Sequence, residues 1–109
     1  MYLSIREAVG DDFIVGMKIN CDDFEDEGLN FGESSWVCER RAMMGLDFIE
    51  VSGANPSRVI SSPSEESYFK VFANVIAENT QIPTILVGGN RSIEGMEEIL
   101  NNSSIEYFS

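Results

Sequence analysis

The chain has 109 residues, enough for one domain with its own core but fewer than the roughly 250 of a closed α/β barrel. Its formal net charge of −12 disfavours nucleic acid and anionic membrane surfaces as partners. It contains no histidine, which excludes Ser-His-Asp and Cys-His catalysis and the common zinc sites. It also lacks an apolar run long enough for a membrane span and a signal-peptide pattern, so we expect a soluble cytoplasmic protein.

The first predicted element is the end of a helix at residues 1–9, and an apolar strand at residues 13–20 follows it. An acidic stretch, residues 22–27, comes next. Its spacing does not match a calcium loop, so we interpret it as a solvated loop without a metal site. Cys21 and Cys38 form no CxxC pair, and we expect both as reduced thiols.

Helices and strands continue to alternate beyond the acidic stretch. Gly45 ends one predicted helix. For the next helix we expect a capping box with Ser62 as N-cap, Pro63 as N1 and Glu65 as N3, and we expect Ser92 to cap the last helix. The predicted helices are residues 35–44, 62–79 and 92–100, and the predicted strands are residues 48–52, 84–87 and, more weakly, 105–108.

The strict alternation of helix and strand predicts an α/β fold of parallel (β/α) units in one domain, residues 1–109. Strands that are apolar on both faces belong in a helix-covered sheet, and both an open α/β layer and a barrel satisfy that condition. In either case the loops after the strands are the expected place for a site.

The loop at residues 86–92, with the sequence LVGGNRS, is the most distinctive local feature. A strand runs into Gly88 and Gly89 and then into a helix N-terminus. Glycines let the backbone approach an anion, and free N–H groups at a helix start attract it. The spacing is equally consistent with a phosphate site and with a tight turn between strand and helix.

Lys18 lies near the end of an otherwise apolar strand, where a cation needs a partner. One interpretation is an ammonium group that binds an anionic cofactor at the top of the sheet. The other is a lysine that reaches the strand end or pairs with Asp22 or Glu50. Glu50 is an acid-base candidate or, more commonly, an ion-pair partner. Asn20 and Ser52 end their strands and are further candidates for ligand contact.

Three segments together resemble the later barrel strands of the old yellow enzyme family of NADH:flavin oxidoreductases. They are residues 10–20 (GDDFIVGMKIN), 45–53 (GLDFIEVSG) and 82–91 (IPTILVGGNR), in the family's order and spacing. The resemblance implies a partial TIM barrel, about strands five to eight, truncated at both ends relative to the family. It also implies an FMN-dependent oxidoreductase that uses NAD(P)H to reduce activated alkenes or related electrophiles.

By this resemblance, Lys18 would contact the polar edge of the flavin ring and stabilise negative charge on its pyrimidine side. Gly88, Gly89 and Asn90 would hold the FMN phosphate through backbone amides, with Arg91 adjacent. The family's substrate-binding His/His or His/Asn pair has no counterpart here, so we assign no catalytic residue.

The resemblance therefore implies a chain that supplies flavin contacts and is inactive alone. The alternative is a stand-alone half-barrel that self-associates or binds a phosphate-bearing ligand without catalysis. Open edges of a parallel sheet favour pairing, either as a homo-oligomer or with a complementing half-barrel.

Overall fold

The computed structural model describes residues 1–23, 28–53 and 66–109. Helices and strands alternate in these residues, which confirms the predicted α/β class. No helix in the described ranges is both long and apolar enough to cross a membrane. The elements are α1 (Tyr2–Val9), β1 (Gly16–Asn20), α2 (Phe31–Met43), β2 (Phe48–Ser52), α3 (Lys70–Thr80), β3 (Thr84–Leu86), α4 (Ile93–Asn102) and β4 (Tyr107–Phe108).

The four strands form one parallel sheet in the order β1-β2-β3-β4. Each strand therefore pairs with the next strand of the chain. Right-handed crossovers between successive neighbours place all the connecting helices on the same face of the sheet. The register aligns one row of side chains across the other face: Lys18, Glu50, Ile85 and Tyr107.

The two faces of the sheet differ in burial in the way this topology requires. Ile49, Val51 and Leu86 are completely buried and belong to a cluster that includes Ile76 of α3 and Cys38 of α2. On the opposite face, the row that contains Lys18 includes exposed residues at both sheet edges. The two central strands, β2 and β3, are thus fully buried on one face only.

The first strand is shorter than predicted. It begins at Gly16 instead of Phe13, and Phe13 is 61% exposed. The reason is the pairing of Val15 with Asp47, which precedes β2. The Val15 N–H donates to the Asp47 carboxylate at 2.7 Å, and the Asp47 N–H donates to the Val15 carbonyl at 2.8 Å. The regular ladder starts one residue later, where Gly16 lies opposite Phe48.

The second helix starts earlier than its apolar spacing predicted. Asn30 is its N-cap and accepts a hydrogen bond from the Glu33 N–H, while the Glu33 carboxylate accepts one from the Asn30 N–H. This capping box fixes the start at Phe31. Its Asn-x-x-Glu signal was present in the sequence. The predicted stop at Gly45 is confirmed, with α2 ending at Met43 and Gly45 at φ 95°.

The third helix begins later in the chain than predicted. Its expected capping box at Ser62, Pro63 and Glu65 lies outside the described residues, but residues 66–69 are not helical and α3 begins at Lys70. The cause is Ser67, which has φ 52° and donates its N–H to the Gly89 carbonyl at 2.9 Å. A contact distant in sequence thus holds these residues out of the helix.

Arg6 connects α1 through hydrogen bonds to the segments that precede β1 and β2. Its guanidinium donates to the Phe13 carbonyl at 2.6 Å, to the Gly45 carbonyl at 3.1 Å and to the Asp47 carboxylate at 3.0 Å. The backbone N–H of Val15 is the largest cause of a lowered pKa at Asp47, and the Arg6 hydrogen bond is the next. The anionic form of Asp47 is therefore the form that the fold stabilises.

This network predicts a pH dependence of stability. Because the folded-state pKa of Asp47 lies below its ordinary value of 3.8, its contribution is present above that value and is lost as the pH falls through the folded-state pKa. Asp47→Asn should remove this contribution and flatten the fall in urea midpoint between about pH 6 and pH 2.5. Asp12→Asn, which removes one charge from an exposed turn, is the control. Identical profiles for Asp47→Asn and the unmodified chain would contradict the assignment.

Candidate functional site at the carboxyl ends of the strands

Lys18 lies on the open face of the sheet, two residues before β1 ends, and its side chain is exposed. Glu50 is its neighbour in register on β2, but among the described residues no ion pair joins the two side chains. Pairing with Glu50, one of the alternatives considered for Lys18, is therefore absent. Lys18 presents a cation on the face of the sheet opposite the described connecting helices.

The open face is polar toward the carboxyl ends of the strands and mostly apolar toward their amino ends. Toward the carboxyl ends, Lys18 and Asn20 of β1 face Glu50 and Ser52 of β2. Toward the amino ends lies an apolar hollow of about 430 Å³, which also borders Asp47. Its remaining lining is Ile14, Phe48, Pro83, Ile85 and Tyr107.

The glycine loop, residues 88–91, follows β3 and leads into α4. Gly88 has φ 103° and Gly89 has φ 72°, a region that favours glycine. The N–H groups of Gly88, Gly89 and Asn90 donate to no acceptor within the described residues. The loop therefore presents unbonded backbone donors, as the predicted phosphate contact requires.

The side chain of Asn90 is fully engaged inside the fold. Its amide nitrogen donates to the Leu86 carbonyl at 2.9 Å and to the Ser109 carbonyl at 3.0 Å. Its amide oxygen accepts from the Ser67 hydroxyl at 2.6 Å. Only the backbone of Asn90 remains available to a ligand, and its side chain is structural.

Glu66 occupies the start of α4. Its Oε2 accepts from the Ser92 hydroxyl at 2.8 Å and from the Ser92 N–H at 3.1 Å. These two bonds, the hydroxyl first, are the largest causes of a lowered pKa at Glu66, and Arg91 adds to the effect. Ser92 is confirmed as the N-cap, because its hydroxyl accepts from the Gly95 N–H at 3.1 Å. Arg91 itself is exposed.

The structure brings four of the five predicted site residues together. Gly88, Gly89, Asn90 and Arg91 are contiguous, whereas Lys18 lies on a strand separated from β3 by β2, so the two strands are about 10 Å apart. No sequence pattern indicated that Glu66 and Ser67 would lie next to this loop. They lie more than twenty residues before it, and no local pattern links the two segments.

The acidic stretch was predicted as a loop without a metal site, and part of it lies outside the described residues. Asp23 closes the base of this loop: its carboxylate accepts from the Asn20 amide at 3.1 Å and from the Leu29 N–H at 2.8 Å. Asn20 is thereby engaged within the chain. The described residues include no cluster of three side chains able to hold a metal ion.

Cys21 and Cys38 are both buried free thiols, as predicted. Burial is the main cause that raises the pKa of each thiol to about 11. At neutral pH they are protonated and unreactive, and they serve as small apolar core residues.

Two curated proteins are similar to this chain. An NADH-dependent flavin oxidoreductase of Aspergillus parasiticus is 32% identical over 102 residues, which cover 85% of the chain and 23% of that protein. An NADH oxidase of Thermoanaerobacter brockii is 25% identical over 107 residues, which cover 94% of the chain and 16% of that protein. The chain thus spans less than a quarter of either relative. No protein-family model matches it.

Proposed function

We propose that the chain forms about strands five to eight of an FMN-dependent NAD(P)H oxidoreductase barrel of the old yellow enzyme type. The observation that carries this proposal is the 32% identity to part of an NADH-dependent flavin oxidoreductase over 85% of the chain. The sheet supports it, because consecutive parallel strands with helices on one face are the repeating unit of a TIM barrel. The open face would then be the barrel interior.

The described residues fit a phosphate-bearing flavin in part. The N–H groups of Gly88, Gly89 and Asn90, which have no acceptor in the part of the chain that the structure describes, suit the phosphate, and the exposed Arg91 guanidinium is adjacent. The Asn90 side chain does not contribute, because all its hydrogen bonds are internal. When bound, FMN supplies the hydride chemistry, while the protein supplies binding, orientation and electrostatics.

Lys18 would supply a positive charge to the polar edge of the flavin ring. It lies on the open face near the carboxyl end of β1, at the same edge of the sheet as the glycine loop. A fixed ammonium group in a water-excluding interior stabilises negative charge more strongly than it does in water. The lack of an ion pair with Glu50 leaves the ammonium group available for this contact.

The chain alone should bind FMN weakly. The face that carries Lys18 is open to solvent here, so only part of a binding site is present and water competes for each contact. We expect FMN fluorescence titration of the purified chain to give a Kd of about 100 µM or weaker. A stoichiometric yellow complex after purification would contradict this expectation.

The role of Lys18 can be tested by complementation. The chain would be co-produced with the part of the Aspergillus parasiticus relative that it does not match, and flavin absorbance of the purified complex would be measured. Lys18→Ala should weaken flavin binding about tenfold, as expected for loss of one charge-assisted contact. Lys70→Ala, which removes the same charge from the exposed start of α3, should leave the affinity unchanged. Equal affinities for both variants would rule out the role assigned to Lys18.

The DNA that flanks this reading frame offers an independent test. If the chain is part of an oxidoreductase barrel, the flanking DNA should encode the missing strands and a histidine pair. Flanking sequence without any such coding potential would favour the stand-alone alternative.

The alternative is a half-barrel that self-associates or binds a phosphate-bearing ligand without catalysis. The apolar hollow on the open face is the observation that favours it, since a second copy could cover this surface. Sedimentation velocity separates the two proposals: a stable dimer at micromolar concentration supports self-association, and a monomer opposes it.

A further inference from the structure

The carboxylate of Glu66 lies where an anion at the start of α4 would bind. Its Oε2 takes hydrogen bonds from the hydroxyl and the N–H of Ser92, the N-cap residue. The same oxygen also lies close to the first turn, since a Cβ added at Gly95 would be 3.2 Å from it. The chain itself thus provides the negative charge that a helix N-terminus favours.

A fixed carboxylate at this position works against a phosphate group in two ways. It uses the Ser92 donors that a phosphate would need, and it repels a second negative charge through like-charge interaction. The N–H groups of Gly88, Gly89 and Asn90 have no acceptor among the described residues and lie outside this contact, whereas the Arg91 backbone contributes a hydrogen bond to Glu66. The start of α4 and the glycine loop, which the sequence suggested as one phosphate site, are therefore not equivalent.

We propose that Glu66 closes the first turn of α4 to anions and confines phosphate binding to the backbone of the glycine loop. This rests on the proposed function for the class of ligand, a phosphate group. The structure adds which backbone N–H groups are available to that phosphate group, and it identifies Glu66 as the residue that excludes the others.

Several contacts that hold the glycine loop in place do not involve the Glu66 carboxylate. Ser67 donates its N–H to Gly89 and its hydroxyl to Asn90. A Cβ at Gly88 would lie 2.8 Å from the ring of Tyr68 and 3.0 Å from the ring of Phe69, so both rings pack closely on the loop. Glu66→Gln keeps a carbonyl oxygen as acceptor for Ser92 and removes only the charge.

The test is a titration of the ¹⁵N-labelled full chain with inorganic phosphate at low ionic strength, followed by amide NMR. In the unmodified chain, the amides of Gly88 and Gly89 should shift while the Ser92 amide stays unmoved. The neutral amide of Glu66→Gln is a weaker acceptor than the carboxylate and does not repel an anion, so phosphate should displace it: the Ser92 amide should also shift, and the phosphate affinity should rise roughly threefold to tenfold. Glu94→Gln, which neutralises a carboxylate in the same helical turn, is the matched control.

The outcomes separate this inference from the proposed function. The inference is overturned if the Ser92 amide shifts in the unmodified chain, a result that needs no variant to fold. It is also overturned if Glu66→Gln and Glu94→Gln titrate alike. Unmoved Gly88 and Gly89 amides in all three proteins would instead refute the phosphate site of the proposed function, while the Ser92 response still decides the role of Glu66.

Discussion

Gly88→Ala should destabilise the chain by about 2–5 kcal/mol, because it combines backbone strain with a steric clash. Gly88 has φ 103°, which side-chain-bearing residues rarely adopt. A Cβ there would also lie 2.8 Å from Tyr68 and 3.0 Å from Phe69, and Phe69 is only 4% exposed. Urea unfolding monitored by circular dichroism measures the loss.

Gly10→Ala separates the two causes. Gly10 has φ 85°, but a Cβ there would meet nothing within 4 Å. It should therefore show a backbone contribution alone, about 1–3 kcal/mol, because its φ of 85° and ψ of 179° lie in a region essentially restricted to glycine. A loss at Gly88 no larger than that at Gly10 would show that the aromatic rings move aside freely, and the close packing of the glycine loop would then be wrong.

Ile49→Ala should cost about 2–5 kcal/mol, whereas Ile85→Ala should cost about 1 kcal/mol or less. Both residues lie within central strands of the sheet, but Ile49 is completely buried on the helix-covered face and Ile85 is half-buried on the open face. The same substitution thus compares the two faces. Denaturant unfolding of both variants, at several protein concentrations, gives the comparison.

Measuring the two losses of stability at several protein concentrations also tests whether a second copy of the chain covers the open face. If the chain remains a monomer, the Ile85→Ala cost stays small at every concentration. If a second copy covers the open face, the cost rises with concentration, since folding and association are then linked. Equal costs for Ile49 and Ile85 at every concentration would contradict the open face described above.

Local patterns in the sequence were sufficient to predict the order of the elements. The apolar run at Phe48–Ser52 predicted β2 with its observed bounds, and Ser92 was correctly predicted as the cap of α4. Both signals lie within a few residues of the structure they specify. The Asn30 capping box was equally local, and the apolar spacing used for α2 overlooked it.

The structural features that could not be predicted from the sequence depend on contacts between residues that are distant in the chain. The start of α3 depends on Ser67 bonding to Gly89, twenty-two residues away, and the carboxylate that bonds to Ser92 at the start of α4 comes from Glu66, also distant in sequence. The sequence also could not show that one face of the sheet lacks a covering layer. An apolar strand residue such as Ile85 gives the same pattern whether or not another layer packs against it.

The position of the glycine loop between a strand and a helix was predicted, whereas its role as a phosphate site stays a prediction. Gly88 and Gly89 both have positive φ, which the prediction did not specify. Asn90 was expected to contact the phosphate through its backbone amide, and its side chain, for which no role was predicted, bonds within the chain. Residue type alone could not distinguish these roles, because an asparagine amide suits a ligand and a backbone carbonyl equally well.

The internal bonds of Asn90 have a consequence for local unfolding. One amide group joins the ends of β3 and β4, through Leu86 and Ser109, to Ser67 in the turn before α3. These three segments can separate only if the amide releases them, so they should open as one cooperative unit. Backbone amides near the end of β3 and in the turn before α3 should then exchange hydrogen with a shared opening free energy, although they are distant in sequence.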